Sequence, residues 1–306
     1  MCSRDADCNA PHGWCTSEHR CRCDVDVAAG RGWGGWNCTA DNARLAGLPV
    51  DTKYRQALWA RHYGPPYSNL SQLRTAEDSE RELPWSMSRS GQGSGRDATF
   101  GVRFALPWLI RALRVESILD VPCGDFNYMR HVLSSSALEQ HTLSYTGMDL
   151  VHPLVGALQR AFGSTEGRHT IRFTQFDLSL QMLWPADLVV MRDLLFHFSR
   201  ARILRVLQQV SRSGSRFFLS TFFPSETNSI VRNGTTQQRD LQRMWADGGG
   251  HFSFWPVNLA VAPFALGPPL LAIGMDSDDW PYSRRQRVMG LWALPLWERH
   301  GSVLPP

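Results

Sequence analysis

Lysine is almost missing from this chain: among its 32 Lys and Arg residues only Lys53 is a lysine. The bias runs through every segment, so it reads as base composition of the coding sequence and not as phosphate-binding chemistry. No run of basic residues accompanies it and the net charge is a modest +4, so no nucleic-acid partner is expected. Long apolar runs are absent as well. The most apolar stretch, Leu259 to Met275, is interrupted by Pro263, Pro268 and Pro269, and no membrane span is expected. Met1 is followed at once by Cys2, with neither the basic nor the apolar region of a secretory leader. The expectation is a start further upstream or a chain that is not exported. Internal repeats and long low-complexity tracts are missing too, which excludes solenoids and fibrous arrays.

What is present is a 43% hydrophobic composition over 306 residues, enough for one large domain with a small appendage. Cysteine is spread unevenly. Cys2, Cys8, Cys15, Cys21, Cys23 and Cys38 crowd the first 38 residues, at gaps of five, six, five, one and fourteen, and only Cys123 lies beyond them. Such density marks a stapled mini-domain. Six cysteines allow fifteen pairings, which spacing alone does not decide. Zinc ligation competes, although paired C-x-x-C spacing is lacking. The run Cys21-Arg-Cys23 followed by Gly32-Trp33-Gly34-Gly35-Trp36-Asn37-Cys38 resembles the EGF-like family. That resemblance implies bridges from Cys2 to Cys15, Cys8 to Cys21 and Cys23 to Cys38. If they form, the secretory pathway or cell exterior follows, and otherwise the cytoplasm.

Residues 1–38 thus read as a cysteine module and 39–98 as a linker, with a helix expected around Asp51 to His62. Its last stretch, Ser88-Arg-Ser-Gly-Gln-Gly-Ser-Gly95, reads as a flexible connector, with an anion-cradling turn as the alternative. From 99 to 297 short apolar runs alternate with amphipathic stretches. Helices are expected at Thr99 to Leu113, Phe126 to Leu138, His152 to Phe162 and Arg200 to Ser211. Strands are expected at Glu116 to Val121, Leu143 to Leu150, Arg172 to Asp177, Ala186 to Arg192 and Arg216 to Phe223, with an added edge strand at Val288 to Leu296. This alternation predicts an α/β fold with a doubly wound, mostly parallel sheet.

In such a sheet ligands bind at the carboxyl ends of the strands. Those ends are unusually acidic here: Asp120-Val-Pro-Cys-Gly-Asp-Phe126, Gly147-Met-Asp149, Phe176-Asp177 and Met191-Arg192-Asp193. The acids stand 29 residues apart from Asp120 to Asp149 and 28 from Asp149 to Asp177, each one strand-helix-strand step. The series resembles the class I S-adenosylmethionine-dependent methyltransferases. By that resemblance Asp120, Pro122, Cys123, Gly124 and Asp125 belong to a cofactor-binding first loop, Asp149 takes the ribose hydroxyls and Asp177 meets the adenine edge. An acceptor-only carboxylate suits a diol, and carboxylates suit a sulfonium cation. The departures are Pro122 and Phe126, where glycine is usual. Helix capping is the competing role for Asp125 and Asp177, and a small buried filler the competing role for Cys123. A nicotinamide cofactor fits less well, because G-x-G-x-x-G is missing and Asp125 would repel a phosphate.

Arg192, Asp193 and His197 are the candidate catalytic residues, with Asp193 preferred. A helix after the fourth strand would place Asp193 and His197 four apart on one face as an acid-base pair. Alternatively, Arg192 pairs locally with Asp193 and His197 packs under the sheet. The irregular region Pro224 to Ser283, with Trp245, His251, Trp255, Asn258, Trp280 and the Gly248 to Gly250 hinge, could form an acceptor pocket or a satellite core. The expected partner is a small or glycan-like methyl acceptor, and no metal is expected. The rival function is a non-catalytic, EGF-like binding protein with a degenerate sheet domain.

Overall fold

The computed structural model describes residues 88, 90, 92–178, 180–198, 200–228, 256–274 and 287–297, together with the backbone of several two- to four-residue strands. The chain divides into two compact units, Met1–Trp59 with Ser229–Phe254 and Ala60–Asn228 with Trp255–Pro306. Within the first, short antiparallel pairs join Gly13–Cys15 to Cys21–Cys23, Val25–Asp26 to Arg31–Gly34, and Arg31–Gly34 to Ala40–Asp41. The six cysteine side chains and their expected bridges lie outside the described residues. So do the helix expected at Asp51 to His62 and Trp245, Gly248 to Gly250, His251, Trp255 and Trp280.

The second unit carries α1 (Phe100–Ala112), β1 (Ser117–Asp120), α2 (Asn127–Leu133), β2 (Leu143–Asp149), α3 (His152–Phe162), β3 (His169–Gln175), β4 (Leu188–Met191), α4 (Arg200–Arg212), β5 (Phe217–Phe222), β6 (Leu271–Gly274) and β7 (Val288–Ala293). The seven strands order as β6-β7-β5-β4-β1-β2-β3. All neighbours are parallel except that β7 runs antiparallel to both β5 and β6. This is a Rossmann-like α/β sheet. The chain moves outward from β1 to β3, returns to β4 and continues to β5, so its switch point lies between β1 and β4. Right-handed crossovers place α2 and α3 on one face and α4 on the other.

Local pattern explains each layer. All four residues of β4 are buried, as a central strand covered on both faces requires. In α4 the buried residues Ile203, Val206, Leu207 and Val210 repeat at i, i+3, i+4 and i+7. Tight contact demands glycine at position 147: a Cβ there would come within 2.7 Å of the Phe173 ring.

Three expectations change. Helix α2 stops at Leu133, and a separate 3-10 turn covers Ser136–Leu138. The cause is Ser134-Ser-Ser136: Ser134 Oγ donates to His131 O at 3.4 Å and Ser135 Oγ accepts from Ala137 N at 3.3 Å, competing with the helical ladder. Strand β6 lies inside the region read as irregular. It is a four-residue edge with only Ile273 buried, so it offers no alternation to find. After β4 no helix follows directly: Asp193 takes a left-handed φ of 52°, Leu195–His197 forms a 3-10 turn, and α4 starts at Arg200. Among the described residues no helix is long and apolar enough to cross a membrane.

Candidate functional site

Asp120 ends β1 and is completely buried. The Tyr145 hydroxyl donates to its Oδ2 at 2.8 Å, while Oδ1 has no hydrogen-bond partner. Burial pushes this carboxyl up to about 7; the Tyr145 hydrogen bond, the Arg192 charge and Tyr128 pull it down, and the Asp149 charge pushes with burial. Asp149 ends β2, also buried, with Oδ2 accepting from Gly124 N at 3.2 Å and Oδ1 from Val151 N at 3.0 Å. Asp177, buried, stands two residues past β3, beside Phe176, whose N–H donates to Asp149 O at 2.9 Å. Three buried carboxylates thus stand at neighbouring strand tips. Such a group accepts donors and favours cations.

The first loop is held from several directions. Gly124 has a φ of 57°, a conformation glycine adopts freely, and its N–H points at Asp149. Cys123 is buried, donates its N–H to Met148 O at 2.8 Å, and has its thiol pushed well above the usual range by burial and by Asp149 and Asp120. A thiol so held is no nucleophile. Pro122 has no N–H to continue the ladder, and β1 ends before it. Asp125 accepts from Ser88 Oγ at 2.8 Å, from Ser90 Oγ at 3.0 Å and from Asn127 N at 3.3 Å. The N-cap position of α2 is Phe126, so Asp125 reaches the first helical amide from one residue further out.

The segment before α1 is no loose connector. Besides the Ser88 and Ser90 bonds, Ser94 O accepts from Asn127 Nδ2 at 3.0 Å, Ser94 Oγ accepts from Arg192 Nη1 at 3.0 Å, and Gly93 O accepts from Arg192 Nη2. It spans from the β1 loop to the β4 tip. Arg192 is buried, lies 5.0 Å over the Tyr128 ring and pairs with Asp193 Oδ2 at 3.1 Å. Arg287 reaches the same oxygen at 2.8 Å, and Thr221 Oγ1 donates to Oδ1 at 3.0 Å. Burial alone would raise the Asp193 carboxyl, but Arg192, Arg287 and Thr221 hold it below the usual carboxylate range. The expected helical pairing of Asp193 with His197 does not form, because the left-handed Asp193 breaks the register. His197 sits in the 3-10 turn with its ring 4.5 Å from that of Phe196, and its charge is felt at Asp193. Asn258, in the region expected to form an acceptor pocket or a satellite core, spends its amide on Pro224 O, Glu226 O and Ala260 N and so ties the loop after β5.

Comparison with known proteins finds no matching family model and no matching curated protein sequence. Solved structures do resemble it. Magnesium protoporphyrin IX methyltransferase from Synechocystis PCC 6803, crystallised with bound SAH, aligns at a TM-score of 0.43 and 14% identity over 80% of this chain and 98% of its own. N-methyltransferase NodS from Bradyrhizobium japonicum WM9, in complex with S-adenosyl-L-homocysteine, gives 0.43 and 12% over 75% and 98%. The 16S rRNA methylase ArmA gives 0.42 and 13% over 75% and 98%.

Sequence reasoning missed Tyr128, Tyr145, Thr221, Arg287 and the two serines. Tyr145 was findable: a tyrosine facing inward on a buried strand needs a partner for its hydroxyl. Thr221 and Arg287 meet Asp193 across 28 and 94 residues, and nothing local marks them.

Proposed function

We propose that this chain binds S-adenosylmethionine over the tips of β1, β2 and β3 and transfers its methyl group to a small or glycan-like acceptor. The observation that carries the reading is the buried row Asp120, Asp149 and Asp177, with an oxygen of Asp120 left without a partner. The donor set fits a cationic nucleoside. A carboxylate only accepts hydrogen bonds and a ribose diol offers two donors, so Asp149 is the residue suited to the ribose hydroxyls. Asp120, disfavoured as an anion in its buried site, gains from a positive charge nearby. When bound, the cofactor supplies an electrophilic methyl on a sulfonium.

The chain's own residues then orient and deprotonate. Gly124 lets the backbone approach closely, and Asp177 faces the base. Arg192 fixes the Gly93-Ser94 segment beside the tip of β4. Asp193, held ionised by two guanidiniums, is a poor proton acceptor and serves to align Arg192 and Arg287. His197 takes the proton of a hydroxyl or amine acceptor. Isothermal titration with S-adenosylmethionine and with S-adenosylhomocysteine tests the reading. Saturable heat is expected from both, weakened at least about tenfold in Asp149→Ala, the scale of losing a charge-assisted pair of hydrogen bonds. Absence of binding by either compound removes the proposal.

A further inference from the structure

The solvent face of α1 is aromatic. Phe100, Phe104 and Trp108 are 57%, 67% and 55% exposed, and with Arg111 they fall within about 80° of helical arc. Phe100 and Phe104 stack at 6.5 Å with an interplanar angle of 11°, and the Arg111 guanidinium lies 5.6 Å over Trp108. The opposite face, with Val102, Leu106, Leu109 and Ile110, is buried in the domain core. Strand β6 packs against α1, and its Leu271 and the preceding Leu270 are exposed as well. Exposed large apolar side chains gathered in this way mark an interaction site.

The pattern is symmetric about Phe104. Phe100 precedes it and Trp108 follows it by four residues; exposed Asp97 precedes it and exposed Arg111 follows it by seven. We infer that α1 packs antiparallel on α1 of a second copy of this chain about a two-fold axis at Phe104. In that arrangement Phe104 meets its own counterpart, each Phe100 meets a Trp108, and each Asp97 faces an Arg111, so every element has its complement across the axis. The rings and the leucines offer on the order of 500 Å² per copy. The pair therefore buries about 1,000 Å² in total, the size at which specific interfaces begin. An anionic lipid surface fits less well, because Asp97, in the 3-10 turn just before α1, and Glu116, four residues after it, stand exposed on its flanks.

Sedimentation equilibrium of the full chain tests this. A monomer–dimer equilibrium at micromolar concentration is expected, weakened roughly a hundredfold or more by Phe104→Glu, with the melting temperature of the monomer unchanged. Asp97→Arg and Arg111→Asp should each weaken the dimer about tenfold, and the double exchange should restore it. A wild-type chain that stays monomeric overturns the inference, as does a dimer indifferent to Phe104→Glu or a double exchange that fails to restore. So does a monomer that binds phosphatidylserine vesicles through Phe104, since the face would then belong to lipid.

Discussion

Asp120 and Asp193 stand at the ends of adjacent parallel strands, β1 and β4, and their surroundings drive them in opposite directions. At the β1 tip the carboxylate has a tyrosine hydroxyl on one oxygen and nothing on the other, and burial raises it to about 7. At the β4 tip two guanidiniums and a threonine hydroxyl meet the carboxylate and outweigh its burial. The residue type is the same, so the environment alone assigns the roles. On the β1 side of the switch point one carboxylate oxygen is left unmatched. On the β4 side the charge is already matched within the protein, and its carboxylate acts as a fixture.

The largest test of that contrast is Asp193→Asn. It leaves Arg192 and Arg287 side by side without their anion, and about 3–5 kcal/mol of stability should be lost in urea unfolding at neutral pH. Because the native carboxyl titrates below its usual range, its contribution is present above pH about 4 and is lost as the pH falls through the native value. The deficit of the variant should shrink accordingly in acid. A loss under about 1 kcal/mol would place the fixture elsewhere. Next comes Asp120→Asn, with the opposite sign. A carboxyl raised to about 7 from 3.8 is stabilising when protonated, fully so below about 4, and that stability is lost as the pH rises through about 7. Asparagine does not titrate. The variant should gain up to about 4 kcal/mol on the wild type at pH 8 and none near pH 4, read as the difference in melting temperature across the range.

The sheet and its acidic tips were legible because β1, β4 and β5 are largely buried apolar runs and β1, β2 and β4 end in or beside an acid, and side-chain period reports both directly. Phe126 shows where such reading stops. It stands at a position usual for glycine, its φ of 61° is glycine-like, and its ring is buried against Phe173 at 5.0 Å, Tyr145 at 5.2 Å and Phe162 at 5.4 Å. Burial of such a ring contributes roughly 2–3 kcal/mol, which offsets the 1–2 kcal/mol or so of a left-handed backbone. The sequence shows the substitution but not the aromatic cage assembled from β2, α3 and β3. The same limit hid the β4 tip. For Asp193 the sequence left His197 and Arg192 open as partners, and the further groups that meet it, Thr221 and Arg287, come from β5 and from just before β7. Ser88 and Ser90 read as linker because serine-rich composition suits both a tether and a set of donors for Asp125.

The smallest and most discriminating change is Tyr145→Phe. It removes one hydroxyl, the donor to Asp120 Oδ2 at 2.8 Å, and leaves a ring of nearly the same volume in the cage. That hydrogen bond favours the ionised carboxylate, so its removal should push the Asp120 carboxyl further up. The cost should be about 1 kcal/mol at pH 8, where the charge is present, and less at pH 5, where the protonated group no longer depends on an incoming donor. Equal losses at both pH values would mean that Asp120 does not titrate near neutrality. The two strand tips would then be alike in charge, and the reason for seating a cation at β1 in preference to β4 would be gone.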